Sequence, residues 1–350
     1  MIVLEHDSYQ RRRSLPNIHE VARRAGVSLG TVSNVLNHPE LVAETTRVRV
    51  QQIITEMGFI RNGSARTLRA GRSQSLGLIV LDIANPFFTE VARGVEDAAN
   101  EAGYVLILGN SGDSLAKEIN YLRVLEEKRI DGLLITPVQS DLASLKQLRD
   151  RGVAIVLLDR SSQSNELCSV TVDDVLGGQL AANHLLEQGH THLGFVHGPL
   201  SIQQVADRQR GLLDAVKAAG LDPALSVVDI STSAQNVHEG EAAVQQLLQV
   251  QPLPTAVFCA NDLLALGLMR GLAQQGISIP RDVALVGYDD VEFASVLVTP
   301  LTSIRQPKYL LGYTAAQLLL EEITAPNTHH HQQVLYQPEM IVRDSSIIRR

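Results

Sequence analysis

A small all-α headpiece followed by an α/β body, built as two doubly wound parallel-sheet lobes, is the architecture that this sequence predicts. Three observations predict it. Apolar residues recur at helical spacing around a glycine-broken turn as far as Gly58, and from Ser75 short apolar runs alternate with helix-length stretches. At 350 residues the chain is too long for one ordinary core. The charge is also divided. Through Ser73 there are 11 Arg, no Lys and 6 acids, a net of +5, whereas the remainder carries 19 basic and 32 acidic residues, a net of −13 that brings the whole to −8. A basic head on an acidic body points to a polyanion met by the head alone.

Residues 1–13 read as an arm ending in Arg11-Arg12-Arg13, and 14–62 as the headpiece. Asn17 is placed to cap a first helix with Ile18, Val21, Ala22 and Ala25 on one face; Gly26 breaks it. Ser28 caps a second, with Val32, Val35 and Leu36 inward. A third runs from about Thr45, turns Val50, Ile53, Ile54 and Met57 inward, and stops at Gly58. Helix, glycine turn and Ser-capped second helix is the geometry that lays a recognition helix in the major groove. Its candidate contact residues are Ser28, Leu29, Thr31, Ser33, Asn34 and Asn37. Asn34 is suited to bidentate reading of adenine and Leu29 to a thymine methyl, while Gly30 offers no side chain. On periodicity alone, a helical bundle that binds protein remains open.

The body's predicted strands are Leu76–Leu81, Val105–Leu108, Leu133–Ile135, Ile155–Leu158, Val170–Val172, Leu193–Val196, Ala256–Cys259 and Val283–Val286, with helices such as Phe87–Glu101 and Leu263–Gln274 between them. Ala325–Gln333, with His329-His330-His331, reads as a solvated polar loop. In doubly wound sheets ligands sit beyond the carboxyl ends of strands. Polar and aromatic residues at those places are Asn85, Phe87 and Phe88 after the first strand, Asp159 and Arg160, Arg208 early in a helix, Asn261, Asp289, and Gln306 after Thr302–Ile304. Charged groups for vicinal hydroxyls with two aromatic faces suit a carbohydrate. Asp262 and Asp290 read as helix caps or loop ties. A local Asp159–Arg160 ion pair and a core role for Phe88 are the plainer readings of those residues.

Other classes find little support. No G-x-x-x-x-G-K-[ST], G-x-G-x-x-G or G-x-S-x-G occurs, so no enzyme chemistry and no cofactor is expected. Cys168 and Cys259 form no metal-spaced motif, and His190, His192 and His197 have no accompanying ligand at metal spacing; buried thiols and no metal site are expected. The N-terminal apolar run Met1–Leu4 is too short for a signal peptide, and no stretch approaches the ~20 apolar residues of a membrane span. The expectation is a cytoplasmic protein without a membrane partner.

The segment IHEVARRAGVSLGTVSNVLN at residues 18–37, with Arg47–Val50, Met57–Phe59 and Ala65–Leu68, resembles the signature of the lactose-repressor (LacI/GalR) family, and the similarity runs to about Val342. The resemblance implies a repressor that grips a near-palindromic operator as a homodimer, since no leucine heptad follows Asp344. It implies a hinge helix at 63–73 that folds on DNA and wedges Leu68 into the minor groove, with Arg66 and Arg69 on phosphates. Packing between domains is the plainer role for Leu68. Arg61 replaces a proline frequent in the family before the hinge Asn, and Leu29-Gly30 replaces larger polar readers, so the operator sequence does not transfer. The body, 74–350, is similar to periplasmic sugar-binding proteins, with one lobe of 74–172 and 304–336, a second of 173–303 and 337–350, and crossings near Val172, Ser303 and Gln337. Asn85, Phe87, Phe88, Asp159, Arg160, Arg208, Asn261, Asp289 and Gln306 match the ligand positions of ribose-binding proteins. The implied effector is a sugar, a pentose such as ribose first. The alternative is a corepressor-type regulator responding to a purine or a phosphorylated sugar.

Overall fold

Asn17 opens the first helix with a reciprocal cap: its Oδ1 accepts from the Glu20 amide at 3.0 Å, and its own amide donates to Glu20 Oε2 at 3.4 Å. In the computed structural model, which describes residues 16–59, 73–139, 142–162 and 166–347, α1 is Ile18–Ala25, α2 Leu29–Asn37 and α3 Glu44–Met57. Gly26 and Gly58 follow α1 and α3 at φ 61° and 59°, the left-handed turn that a Cβ disfavours. Val21, Ala22, Ala25, Val32, Val35 and Val50 form a closed core, with Ile18, Leu36, Ile53, Ile54 and Met57 half-buried against it. The chain divides into two compact units between Ser73 and Gln74.

The second unit holds two six-stranded sheets. The first contains β1 (Ser75–Val80), β2 (Val105–Asn110), β3 (Gly132–Ile135), β4 (Ala154–Leu158), β5 (Cys168–Val172) and β11 (Gln333–Tyr336), in the order β11-β5-β4-β3-β1-β2, all parallel. The second contains β6 (Leu193–His197), β7 (Val227–Ser231), β8 (Ala256–Cys259), β9 (Ala284–Asp289), β10 (Thr302–Arg305) and β12 (Glu339–Ile341), ordered β12-β10-β9-β8-β6-β7. Only β12 runs antiparallel, against β10. The connecting helices are α4 (Pro86–Glu101), α5 (Leu115–Glu127), α6 (Ala143–Asp150), α7 (Asp174–Glu187), α8 (Gln203–Ala218), α9 (Pro223–Ser226), α10 (Val237–Leu247), α11 (Asp262–Gln274), α12 (Glu292–Val296) and α13 (Lys308–Thr324). Strands β3, β4, β6 and β8 are buried along their whole length. Helices on both faces explain why they read as continuous apolar runs rather than alternating ones.

The chain passes from one sheet to the other after Val172, Arg305 and Tyr336. The middle crossing falls two residues beyond the expected Ser303, because Ile304 and Arg305 continue the pairing with Tyr288 and Asp289. Strands β7 and β11 escaped the sequence reading, whereas a last strand was expected to end near Asp344; both missed strands are sheet edges with exposed positions, which blurs the apolar run. The segment before β11 is largely the exposed polar loop expected, but the His329 side chain is tucked in and only 2% exposed. Two glycines let α7 and α8 cross closely. A Cβ on Gly178 would lie 2.1 Å from the Arg208 carbonyl oxygen, and one on Gly211 would lie 2.0 Å from that of Val175.

Candidate functional site

A cleft of about 250 Å³ lies where the carboxyl ends of both sheets meet. The first sheet contributes Asp82, Asn85, Phe87 and Phe88 beyond β1, Asp113 beyond β2 and Asp159 beyond β4. From the second come Ile202, Gln204, Val205 and Arg208 beyond β6, Gln235 beyond β7, Asn261 beyond β8 and Asp289 at the end of β9. The switch-point rule therefore locates a cleft here that draws on both lobes.

Each polar side chain is fixed by a specific partner. Asn85 caps α4 by accepting from the Phe87 amide at 2.9 Å, and its amide group donates to Asp289 Oδ2 at 3.2 Å. Gln306 donates to Asp289 Oδ1 at 2.8 Å, and Lys308 Nζ to the Asp289 carbonyl. Asn261 caps α11 and donates to the Gln235 carbonyl at 3.0 Å. Gln204 reaches both the Asp159 carbonyl and, at 3.0 Å, Asp159 Oδ2. Phe87 and Phe88 meet edge to face with centroids 5.0 Å apart. Asp159 and Asp289 adopt φ 52° and 108°. For a residue with a Cβ these backbones are strained, and such strain gathers at functional sites.

Arg208 is the electrostatic centre of the cleft. Its Nε donates to Asp174 Oδ1 at 2.8 Å, its Nη1 to the Ala260 carbonyl at 2.6 Å, and its guanidinium carbon sits 3.6 Å from the centroid of the Tyr288 ring. Burial disfavours its charge, but Asp174, Tyr288, Asp289 and Asp159 together outweigh that and hold the proton more firmly than usual. Burial also pushes the Asp159 carboxyl well above its usual range, with Asp174 adding to the rise. Asp289 is raised for the same first reason, with Arg208 opposing.

Not every residue singled out from the sequence reaches the cleft. Arg160 is buried, but it lines an adjoining cavity with Asp173, Asp174 and Asp207. Consecutive residues leaving a strand point opposite ways, so Asp159 borders both cavities while Arg160 borders the adjoining one and not the cleft. Glu118 and Asp207 are the acids acting on Arg160, rather than the Asp159 of the plainer, local-pair reading. Gln306 stands behind Asp289 and is not among the lining residues. Missed from the sequence were Asp174, Gln204, Gln235, Tyr288 and Lys308. Gln204 had one legible signal, lying four residues before Arg208 on the same helix face. Asp262 and Asp290 are loop ties, as expected: Asp262 accepts from Ser303 Oγ and the Val291 amide, and Asp290 pairs with Arg305 and Arg343. The two thiols are free and buried, and His190, His192 and His197 turn to Thr255, the Pro252 carbonyl and Asp229.

In the headpiece, Leu29, Asn34 and Asn37 are exposed on α2, while Thr31 and Ser33 are half-buried. Ser28 Oγ accepts from the Thr31 amide and lies 2.9 Å from Thr31 Oγ1, so this pair builds the cap. The Asn37 amide group donates to the Ser33 carbonyl. Arg66, Leu68 and Arg69 lie outside the described residues.

A helix-turn-helix head in one chain with a two-lobed polar cleft defines a class, the ligand-responsive DNA-binding regulators. Residues 17–62 match the family model for bacterial regulatory proteins of the lacI family, and 73–343 that for periplasmic binding proteins and the sugar binding domain of the LacI family. The chain belongs to the LacI family. It is 34% identical to the HTH-type transcriptional repressor PurR of Aliivibrio salmonicida over 95% of this chain and 99% of that one. A LacI family transcriptional regulator from Enterococcus faecium, solved with bound ribose, is 31% identical at a TM-score of 0.71 over 78% of this chain and 98% of the other. The lac repressor dimer bound to operator and the anti-inducer ONPF is 26% identical at a TM-score of 0.79, over 95% and 99%. This is a DNA-binding transcriptional repressor and not an enzyme. No helix among the described residues is long and apolar enough to cross a membrane.

Proposed function

We propose that the cleft binds a small unphosphorylated sugar, ribose first, and that occupancy switches the grip of a homodimer on a near-palindromic operator. The observation that carries this is the charge of the lining: Asp82, Asp113, Asp159 and Asp289 face one guanidinium, Arg208, already paired with Asp174. A phosphate would find no unpaired cation among the lining residues, whereas sugar hydroxyls donate and accept alike and so suit carboxyls that burial raises. Asp159 Oδ1 and Gln235 Oε1 are buried without a hydrogen-bond partner among the described residues, and a polyol supplies donors for both. The cavity is at or below the small end of the roughly 300–1,000 Å³ of ligand pockets, which favours a monosaccharide over anything larger. Ribose in the Enterococcus faecium relative agrees with this reading. In the head, α2 is the reading helix, with Leu29, Ser33, Asn34 and Asn37 toward bases and Ser28 and Thr31 at its start; Arg66, Leu68 and Arg69 serve the hinge contact.

Calorimetry with ribose, ribose 5-phosphate and a purine base tests the effector. Ribose is expected to bind wild type and to lose at least tenfold in affinity in Asp289→Asn and Asp159→Asn, both of which keep the side-chain shape. Binding of ribose 5-phosphate or the purine with none of ribose would overturn the sugar assignment.

A further inference from the structure

The segment between α13 and β11 folds a second cluster of ligating side chains against the first sheet. Cys168 begins β5, Glu322 lies in the last turn of α13, and His329 and His331 belong to the connection into β11. One donor atom from each of the four falls within 4.8 Å of the others. His329 Nε2 is 3.2 Å and His331 Nδ1 3.7 Å from Cys168 Sγ. Around a tetrahedral ion with a metal–sulfur bond of about 2.3 Å and metal–nitrogen bonds of about 2.0–2.1 Å, sulfur and nitrogen stand about 3.6 Å apart. The observed spacings bracket that value.

Two further observations point the same way. Glu322 Oε2 is buried without a hydrogen-bond partner among the described residues, a cost that a bound cation removes. The Gln332 amide donates to Cys168 Sγ at 3.2 Å, which partly offsets the effect of burial on the thiol and would support a metal-bound thiolate. The nearby cation, Arg149, pairs with Glu166 and Asp150. We propose that Cys168, Glu322, His329 and His331 bind one divalent metal ion of the zinc class. The thiolate and carboxylate together neutralise a divalent ion, and a Cys/His₂/carboxylate set selects zinc over the hard, oxygen-seeking cations. His329 Nδ1 is buried without a hydrogen-bond partner among the described residues, with Glu321 Oε2 3.8 Å away. His331 is exposed and gives the ion a way in.

The ion would fasten β11 to β5. Strand β11 is an edge strand whose one strand neighbour among the described residues is β5, and it leads directly into the last crossing between the sheets. Metal binding would therefore brace the strand that leads into one of the three connections between the sheets.

The test is titration of the metal-stripped full-length protein with Co²⁺, and with Zn²⁺ against a chromophoric chelator. One equivalent is expected, with the visible bands of tetrahedral cobalt, a near-ultraviolet thiolate-to-cobalt band and a raised melting temperature with Zn²⁺. Cys168→Ser is expected to lose the thiolate band, and His329→Ala and Glu322→Gln to weaken binding at least tenfold. Circular dichroism identifies any variant that fails to fold, and the wild-type spectrum stands without the variants. Failure to take up metal, or uptake without the thiolate band and equal in Cys168→Ser, would overturn the proposal by leaving only adventitious binding to exposed histidines.

Discussion

Arg208 and Asp174 are each about 6% exposed, and a charge so placed is tolerable only while its partner remains. Removing one member of a buried pair costs about 3–5 kcal/mol because the other is left uncompensated. Arg208→Ala is therefore expected to lower chemical-denaturation stability by that order; a loss under about 1 kcal/mol would mean that solvent already reaches the pair. Asp159 carries a different signature. Its folded value lies above its unfolded one, so the folded chain holds the extra proton. Stability from this group is present below the ordinary carboxylate range and is lost as pH rises through the raised value. Ligand-free wild type should accordingly lose melting temperature relative to Asp159→Asn as pH rises over that window, and parallel profiles would contradict the buried carboxyl. Reading the ends of strands found Asn85, Asp159, Asn261 and Asp289, because those positions follow from topology alone. It could not find Asp174 or Tyr288, whose pairing with Arg208 depends on packing across 34 residues in one case. Nor could it exclude Arg160, whose direction depends on the parity with which the chain leaves β4.

Among elements, the helices of the head were the most legible. Asn17, Gly26, Ser28 and Gly58 punctuate them with side-chain caps and left-handed turns that belong to single residues. Strand β7 was not legible, since at a sheet edge it buries only Ile230 and leaves no apolar run, and with it went Gln235 in the turn that follows. The α7–α8 crossing has a consequence for the cleft. A methyl group at Gly178 meets the backbone of Arg208, which cannot yield without moving α8. Gly178→Ala is expected to weaken effector affinity at least tenfold while operator affinity without effector stays within a fewfold of wild type. Unchanged effector affinity would show that α8 shifts without taking the guanidinium with it.

For the whole molecule, charge and function divide at the same place. The net of +5 ends at Ser73, and the two compact units separate between Ser73 and Gln74. Phosphate contacts from arginines release counterions, so operator affinity should fall steeply as salt rises. The acidic body surrounds the cleft with carboxylates, which suits a neutral ligand and disfavours nucleic acid at that surface. The central claim, that the head reads DNA and the body does not, is tested most directly by fluorescence anisotropy. The probe is a duplex selected from a random pool by the full chain, titrated with the full chain and with the chain lacking residues 1–72. The full chain is expected to select a near-palindrome and to bind it at least a thousandfold more tightly than random duplex. The shortened chain is expected to stay folded by circular dichroism, keep its effector affinity and show no preference between the two duplexes. Retention of the preference by the shortened chain would contradict the account.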